Sequence, residues 1–316
     1  MAGNSNLNNS ARDKQDEFYT ELSMIESELK HYKDHFKDKV IFCNCDDPET
    51  SHFWKYFQLN FFYLGIKKLV STHFDANEPS YKMEIVAADI PKSGQLSIPD
   101  YIKTPLKQNG DFRSPECIEI LKEADIVITN PPFSLFREYI AQLMEYKKDF
   151  IIIGNLNAVK YKEILPLIMN NKIWLGKNSG HYWFRVPDYY EIKKTDFKID
   201  ENGQKWRRMG NICWYTNLDF KERHEDITLY CTYDEKKYPK YETYDAIEVA
   251  RVSEIPCDMP LDTVFGVPIT FMTKHNPDQF DIIGVLNSGS GNEYDFAKAV
   301  VNGKQLYSRF LIRKKR

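Results

Sequence analysis

The tetrapeptide Asn130-Pro131-Pro132-Phe133 combines groups that could hold a planar amine and present it to an electrophile. Two consecutive prolines fix φ at both positions and remove two N–H donors, so the loop is stiff. The side-chain carbonyl of Asn130 and the main-chain carbonyl of Pro131 can both accept hydrogen bonds from one –NH₂ group, and the Phe133 ring offers a face for stacking. Two acceptors on one amine favour its change toward sp³ geometry. That change exposes the nitrogen lone pair for attack on an electrophilic methyl group, without a strong general base.

Two further stretches could bind the polar parts of a nucleotide-like ligand. Residues 44–48 (NCDDP) follow an apolar run, and their carboxylates can accept hydrogen bonds from a ribose or an amino group. An acidic turn can equally cap the helix that follows it. Residues 110–112 (GDF) place a carboxylate beside an aromatic ring, which could grip a purine, although a plain turn explains them as well. The glycine pattern of dinucleotide-binding turns is absent, so that class of site is not indicated.

The apolar pattern puts these stretches at the ends of strands in an α/β sheet. Predicted strands alternate with predicted helices, which favours a parallel sheet with helices on both faces. Ligands bind such sheets at the carboxyl ends of the strands, so we expect the three stretches to meet at one edge. The predicted strands are 39–43, 68–72, 125–129, 150–153 and 172–175, and the predicted helices are 20–36, 51–64, 115–123, 134–147 and 159–170.

The pattern changes in the last third of the chain. Residues 200–203 (DENG) predict a hairpin turn, and residues 211–215 predict a strand that pairs with what precedes it. Beyond residue 221 the chain is rich in Tyr, Pro and charge and shows no clear period. We therefore expect a first domain over residues 1–220 and a smaller second region over residues 221–316.

Composition limits the class of protein. With 28% charged and 14% aromatic residues, the 316-residue chain is expected to be globular. A net charge of −3 gives no overall basic signal, but an acidic domain can still contain a basic cleft. The six cysteines show no C-x-x-C spacing and no accompanying His cluster, so no metal site is expected. The absence of a signal segment and of a long apolar run predicts a cytoplasmic protein with no membrane association.

The tetrapeptide matches the (D/N/S)-P-P-(Y/F/W) motif of amino methyltransferases that use S-adenosylmethionine. Over nearly its whole length, the chain resembles the EcoRI-type adenine-specific DNA methyltransferases. The resemblance implies a Rossmann-like methyltransferase fold, with a mostly parallel seven-stranded sheet, helices on both faces and a C-terminal target-recognition region. The similar stretches are DEFYTELSMIESEL, VIFCNCDDPETSHFWKYF, NGDFRSPE, DIVITNPPFSLFREYI, NNKIWLG, YPKYETYDAI and GVPITFMTKHNPDQF.

The resemblance also assigns roles to single residues. Asn130, Pro131, Pro132 and Phe133 would hold the target adenine. The cofactor loop of relatives is rich in glycine, and here Ser51 stands in place of its first glycine. The residues implied to bind S-adenosylmethionine are Phe18, Tyr19 and Thr20 at its methionine part, Asn44, Asp46, Asp47 and Pro48 in the turn, and Asp111 and Phe112 at its adenine.

An amine inside a DNA duplex can be reached only if its base is extruded and stacked on aromatic rings. Phe133 is one such ring, and either Trp214 or Tyr215 could face it, although a core position explains both equally well. Lysine and arginine side chains would hold the phosphates. The residues expected to do so are Lys205, Arg207 and Arg208.

Several functions are consistent with these residues. The leading hypothesis is a site-specific adenine DNA methyltransferase that acts on double-stranded DNA as a monomer, with a restriction endonuclease as a separate cognate protein. The same tetrapeptide would serve for methylation of an adenine in RNA or of a protein glutamine. A DNA-binding protein that has lost catalysis is a third hypothesis, which the intact tetrapeptide disfavours. No carboxylate cluster beyond the acidic turn supports a metal-dependent nuclease.

Overall fold

The computed structural model describes residues 19–45, 47–75, 80–89, 98–289 and 293–316, and its chain forms two compact units. The first unit comprises the described residues up to Asn155 and residues 178–218. The second unit comprises residues 156–177 and 219–316. Two of the residues that the resemblance assigns to the cofactor, Phe18 and Asp46, lie outside the described residues.

The first unit is built on a nine-stranded sheet, apart from residues 174–177 of the seventh strand, which belong to the second unit. Its strands are β1 (Val40–Cys43), β2 (Lys68–Thr72), β3 (Tyr81–Val86), β4 (Ile102–Pro105), β5 (Ile126–Thr129), β6 (Asp149–Asn155), β7 (Trp174–Arg185), β8 (Phe197–Ile199) and β9 (Lys205–Thr216). Along the sheet the order is β4-β3-β2-β1-β5-β6-β9-β7, and β8 pairs with β9. The four central strands β2, β1, β5 and β6 are parallel, and the pairs β2–β3, β3–β4, β6–β9 and β8–β9 are antiparallel.

This sheet confirms the predicted α/β class, with nine strands where seven were expected. The difference lies at the two edges, where hairpin strands extend the parallel centre. The strand at 68–72 was predicted with its observed bounds. The strand predicted at 172–175 is the start of the much longer β7.

The described residues contain five α-helices, of which the last belongs to the second unit. They are α1 (Leu22–Leu29), α2 (His52–Leu59), α3 (Pro115–Glu123), α4 (Phe136–Glu145) and α5 (Leu165–Met169). Short 3-10 helices occur at Lys30–His35, Ala87–Asp89, Phe133–Leu135, Leu156–Lys160, Lys221–His224, Val252–Glu254 and Ile269–Lys274. Helix α3 has the predicted bounds because Ser114 caps it, accepting a hydrogen bond from Cys117 N at 3.3 Å, and Pro115 occupies its first position. The helix predicted at 159–170 is a 3-10 segment followed by the short α5, in which Pro166 lies in the first turn.

Helices cover both faces of the sheet, as predicted. Consecutive residues of a strand point to opposite faces. On β9, the Trp214 ring packs edge-on against Phe53 of α2 at 6.0 Å, whereas the Tyr215 ring packs against Phe136 of α4 at 5.0 Å. Gly154 on β6 allows the close contact between Tyr215 and Phe136, because a Cβ on Gly154 would stand 2.7 Å from the Phe136 ring.

The second unit contains a five-stranded sheet that the sequence pattern did not reveal. The strands β10 (Ile247–Glu248), β11 (Val264–Pro268), β16 (Arg309–Lys314), β12 (Phe280–Leu286) and β13 (Asp295–Ala297) follow in that order across the sheet. A separate pair is formed by β14 (Val300–Val301) and β15 (Lys304–Gln305). In the interior, Glu248 accepts hydrogen bonds from Arg309 at 2.8 Å and from the Tyr241 hydroxyl. None of the described helices in either unit is long and apolar enough to span a membrane.

Candidate active site

The carboxyl ends of three neighbouring strands meet at one edge of the first unit's sheet. β1 pairs in parallel with β2 on one side and with β5 on the other, so all three strands end at the same edge. Asn44 follows β1, His73 to Asp75 follow β2, and Asn130 follows β5. The structure therefore brings Asn44 and Asn130, from two of the three stretches singled out in the sequence, to the same edge.

The Asn130–Phe133 loop is compact and largely enclosed. Asn130 is 8% exposed, Pro131 is buried and Phe133 is half-buried. Directly after the prolines, residues 133–135 form a 3-10 turn, in which Leu135 N donates to Pro132 O at 3.0 Å, and α4 begins at Phe136. A buried strand on one side and a helix on the other thus fix the directions of the Asn130 amide and the Pro131 carbonyl. This arrangement suits the hydrogen-bonding of a flat amino group.

Asn44 is the polar side chain at the end of β1, and it is 2% exposed. Its Oδ1 accepts a hydrogen bond from the hydroxyl of Tyr139, a fully buried residue of α4. Within the described part of the chain, its Nδ2 has no hydrogen-bond partner. Burial holds the pKa of Tyr139 well above its usual range, so the hydroxyl stays a donor. Tyr139 could not be singled out from the sequence, because it lies on the apolar face of its helix and looks like an ordinary core residue.

The turn at Asp47 and Pro48 is closed by backbone and side-chain hydrogen bonds. Asp47 O accepts from Ser51 N at 2.7 Å, and Asp47 Oδ1 accepts from the Tyr81 hydroxyl at 2.7 Å. Pro48 is buried. Ser51 caps α2, since its side chain accepts from Phe53 N at 3.1 Å. The carboxylate of Asp47 therefore does not cap the helix, and it lies at the edge where the strands end.

Tyr19 and Thr20 are held at the start of α2, close to this turn. Tyr19 N donates to Arg185 O at 2.9 Å. His52, the first residue of α2, donates from Nδ1 to Thr20 O at 2.8 Å and accepts from Arg185 Nη2 at 3.3 Å. Thr20 is 3% exposed, and its Oγ1 has no hydrogen-bond partner among the residues that the structure describes. Two buried polar atoms, Thr20 Oγ1 and Asn44 Nδ2, therefore lie in this region with capacity for a ligand.

The loop before α3 lies against the end of β2. Asp75 N donates to Asn109 O at 2.9 Å. Gly110 adopts φ +79°, and a Cβ at this position would stand 1.8 Å from His73 O. Only glycine fits, because both the left-handed backbone and the close approach exclude a side chain. This contact carries Asp111 and Phe112 to the edge where Asn44 and Asn130 lie.

Asp111 and Phe112 are both engaged in contacts of their own. Phe112 is 5% exposed and packs edge-on against Tyr139, with 5.0 Å between ring centroids. Asp111 accepts from Arg113 Nε at 2.9 Å and from Nη2 at 2.7 Å. Burial acts to raise the pKa of Asp111, but the hydrogen bonds and charge of Arg113 outweigh it, and the pKa is lowered. Asp111 is therefore an anionic acceptor.

Two expectations about the target base and the phosphates are changed by the structure. Trp214 and Tyr215 are fully buried on opposite faces of the sheet. Both rings therefore belong to the core, and neither exposes a face on which a base could stack. Lys205 Nζ donates to Tyr190 O at 3.0 Å, and Arg207 Nη1 donates to Asp196 O at 3.1 Å. Arg208 is the exposed member of the three expected cations, with its Nη1 3.8 Å from Asp196 Oδ1.

Comparison with known proteins decides the family. Residues 6–315 match the family described as adenine-specific methyltransferase EcoRI. The chain belongs to this family. The resemblance drawn from the motifs and the expected enzyme class, an adenine-specific methyltransferase, are thereby confirmed.

Curated relatives match along most of their lengths. The chain is 44% identical to the Type II methyltransferase M.EcoRI of Escherichia coli, covering 100% of this chain and 98% of the relative. It is 36% identical to the Type II methyltransferase M.MgeORF184P of Mycoplasma genitalium, covering 98% of each chain. It is 37% identical to the Type II methyltransferase M.MpnI of Mycoplasma pneumoniae, covering 89% of this chain and 85% of the relative. No solved structure matches.

Proposed function

We propose that the protein transfers a methyl group from S-adenosylmethionine to N6 of an adenine in duplex DNA, at a short defined sequence. Membership of the adenine-specific family supports the target base. The observation that carries the proposal is the rigid Asn130–Phe133 loop, with Asn130 and Pro131 buried, at the carboxyl edge of the parallel strands. Ligands bind α/β sheets at this edge.

The loop residues act on the target amine. Asn130 Oδ1 and the Pro131 carbonyl accept one hydrogen bond each from the adenine N6 amino group, and Phe133 stacks on the base. Because both acceptors are fixed before the substrate arrives, they favour the sp³-like amine of the transition state and do not have to reorganise. Both oxygen atoms bond to the N–H hydrogens, so the nitrogen lone pair stays available for the methyl group, and the methylated nitrogen then releases one proton to become the neutral secondary amine.

The region around Thr20 and Asn44 fits S-adenosylmethionine. Thr20 Oγ1 and Asn44 Nδ2 are buried polar atoms without partners in the described residues, and a polar cofactor would satisfy both. We assign the methionine part to Tyr19 and Thr20, and the polar groups of the nucleoside to Asn44 and the Asp47–Pro48 turn. Two other residues, Asp111 and Phe112, are assigned to its adenine ring. When bound, this cofactor supplies an electrophilic methyl group.

Family membership and the positions of charged side chains support the proposals for DNA binding and target recognition. The target adenine is extruded from the duplex, because its amine is otherwise enclosed by the base pair. Arg208, the exposed one of the three cations expected at phosphates, is assigned to a phosphate. Lys205 and Arg207 on the same strand donate to loop carbonyls instead. We assign target recognition to residues 221–316. A cytoplasmic monomer that acts apart from a cognate restriction endonuclease completes the proposal.

A transfer assay over three substrate classes tests this function. The protein is incubated with labelled S-adenosylmethionine and unmethylated genomic DNA, total RNA or a protein extract, and the products are digested to nucleosides or amino acids. We expect label in N6-methyladenine from DNA alone. Label in RNA adenine or protein glutamine, with none in DNA, would overturn the DNA assignment.

A further inference from the structure

The β7–β9 hairpin extends beyond the sheet edge that carries the candidate active site. β5 and β6 run parallel, and Thr129 at the end of β5 lies opposite Ile152 on β6. β6 ends at Asn155, which pairs with Ile212 of β9. Residues 205–211 of β9 therefore continue past the end of β6, on the side where the Asn130 loop lies. Seven strand residues span about 20 Å, which exceeds the depth and the width of a DNA major groove.

The outer part of this hairpin carries a loop, residues 187–196, which we call the hairpin loop. Two cations of β9 hold its backbone. Lys205 Nζ donates to the carbonyls of Asp188 and Tyr190, and Arg207 Nη1 donates to Thr195 O at 2.5 Å and to Asp196 O at 3.1 Å. Lys205 and Arg207 are two residues apart, so their side chains leave the strand on the same face. The loop is therefore fixed at both its ends by positive side chains.

The hairpin loop exposes apolar side chains although its backbone is fixed. Tyr190 is 5% exposed and its ring lies parallel to Phe197, at 6.5 Å, so it anchors the loop. Tyr189 is 55% exposed and Ile192 is 70% exposed. A single exposed apolar residue is common on protein surfaces and needs no explanation by itself. Ile192, however, lies on an anchored loop and is followed by Lys193 and Lys194. This loop lies beyond the sheet edge that carries the candidate active site.

We propose that Ile192, supported by Tyr189, is an apolar wedge that enters the base stack of duplex DNA when the target adenine is extruded. This inference rests on the proposed function. Apolar side chains inserted between base steps are a known way for proteins to unstack DNA, and isoleucine is among the residues that do so. Lys194 supplies positive charge for the flanking phosphates. Lys205 and Arg207 are positioning residues, which hold the loop so that the wedge does not yield.

Ile199 provides a matched control for Ile192. It belongs to the same hairpin, on β8, and is 52% exposed, but it lies outside the hairpin loop. Replacement of either exposed isoleucine by alanine leaves the core untouched. Sequencing of genomic DNA methylated by the wild-type protein gives the recognition site, and a synthetic duplex with this site is the probe. A second duplex has an abasic position opposite the target adenine, where extrusion is easier.

The wedge makes a specific prediction for the two duplexes. On the paired duplex, we expect Ile192→Ala to lower kcat at least about tenfold, because a stacked and paired base resists extrusion. In a third duplex, in which 2-aminopurine replaces the target adenine, the variant should give lower fluorescence than wild type. On the abasic duplex its rate should return to within about twofold of wild type, because little unstacking energy is then needed. Ile199→Ala should match wild type on both.

The outcomes separate the wedge from the function on which it rests. If wild type methylates the paired duplex but Ile192→Ala equals Ile199→Ala in rate and fluorescence, the wedge is wrong and the methyltransferase assignment stands. An equal loss on both duplexes would also overturn the wedge, because it would show a defect unrelated to extrusion. If wild type methylates no DNA at all, the proposed function fails, and the wedge fails with it.

Discussion

Asn44 is a buried amide that Tyr139, a residue not singled out by the sequence, holds from the neighbouring helix α4. The Tyr139 hydroxyl donates to Asn44 Oδ1, and the Tyr139 ring also packs edge-on against Phe112. One side chain of α4 thus contacts the turn after β1 and the loop before α3. The two regions assigned to the cofactor are therefore coupled through Tyr139.

Replacement of Tyr139 by phenylalanine tests this coupling. The variant keeps the ring contact but removes the hydroxyl donor and leaves buried Asn44 Oδ1 with the weak Cys45 thiol at 3.6 Å, which costs about 1–3 kcal/mol of the free energy of unfolding. We also expect weaker binding of S-adenosylmethionine. Urea unfolding and calorimetry measure the two effects. Tyr146→Phe, at the end of the same helix, is the control, and equal effects of the two changes would contradict the role given to Tyr139.

At the scale of single elements, the loop before α3 depends on one glycine. Gly110 combines a left-handed φ with a backbone contact to His73, so it fixes the loop to the end of β2. Asp111 and Phe112 follow at once, and their positions depend on this contact. A change in Gly110 should therefore act on the cofactor site rather than on the whole fold.

Gly110→Ala is expected to weaken S-adenosylmethionine binding at least about tenfold, because a Cβ 1.8 Å from His73 O forces the loop away from β2. Gly203 is the matched control, since its φ of +81° is similar and no atom lies within 4 Å of its added Cβ. Gly203→Ala carries the backbone strain without the collision. Calorimetry compares the two, and comparable losses of affinity would mean that the collision has no effect on the site.

The three cations of β9 should separate into two roles. Arg208 is exposed, and a phosphate contact by this residue predicts that Arg208→Gln lowers the slope of log Kd against log salt by about one. Arg207 holds carbonyls of the hairpin loop, so Arg207→Gln should leave the slope unchanged and lower turnover. Titration of a labelled duplex at several salt concentrations measures the slopes. A lowered slope in Arg207→Gln would show that Arg207 contacts phosphate.

At the scale of the whole molecule, acid should destabilise the second unit through His275. Burial lowers the pKa of His275 to about 4, although the Phe280 carbonyl, which accepts from its Nε2 at 3.0 Å, acts to raise it. The unfolded chain takes up this proton near pH 6.5 and the folded chain only near pH 4. Since the unfolded state binds more protons in this window, the free energy of unfolding falls as the pH drops from about 6.5 to about 4.

His275→Gln keeps a donor for the Phe280 carbonyl but cannot titrate. We therefore expect the variant to lose less stability than wild type between pH 7 and pH 4.5. Urea unfolding of both proteins at the two pH values gives the comparison, and the other titrating groups cancel because they are common to both. A loss in His275→Gln equal to that of wild type would show that His275 does not titrate in this window.

The sequence predicted the elements that carry strong local signals. Ser114 followed by Pro115 marks the start of α3, and the apolar run before Asn130 places the key loop at the end of a strand. The central order of strands and helices followed from their alternation. These features are set by neighbouring residues, which is why they could be read without the structure.

Other features depend on contacts between distant residues. The part of β9 that carries Trp214 and Tyr215 is buried on both faces of the sheet, so its sequence does not alternate between apolar and polar residues. The sequence therefore could not show whether these rings pack in the core or stack on a base. The second unit's strands are short and lie far apart in the chain, which left no period to detect. A basic run such as 205–208 looks the same whether its cations face phosphate or a nearby loop. Only the fold shows that Lys205 and Arg207 contact carbonyls.

Asn130 is the residue on which the proposed reaction depends most directly. The decisive measurement incubates labelled S-adenosylmethionine and unmethylated genomic DNA with wild type, Asn130→Ala and Asn60→Ala, followed by digestion to nucleosides. Asn60 is the control, because among the described residues its side chain donates to the carbonyl of Tyr56, one turn earlier in the chain. Calorimetry of each protein with S-adenosylmethionine shows whether the cofactor site is intact.

We expect N6-methyladenine with wild type and Asn60→Ala, and at least about 100-fold less with Asn130→Ala, because loss of one fixed polar partner commonly reduces turnover by that factor. Cofactor affinity should be retained in all three proteins. Full methylation of adenine by Asn130→Ala would contradict the account, since the amine would then need no acceptor at this position.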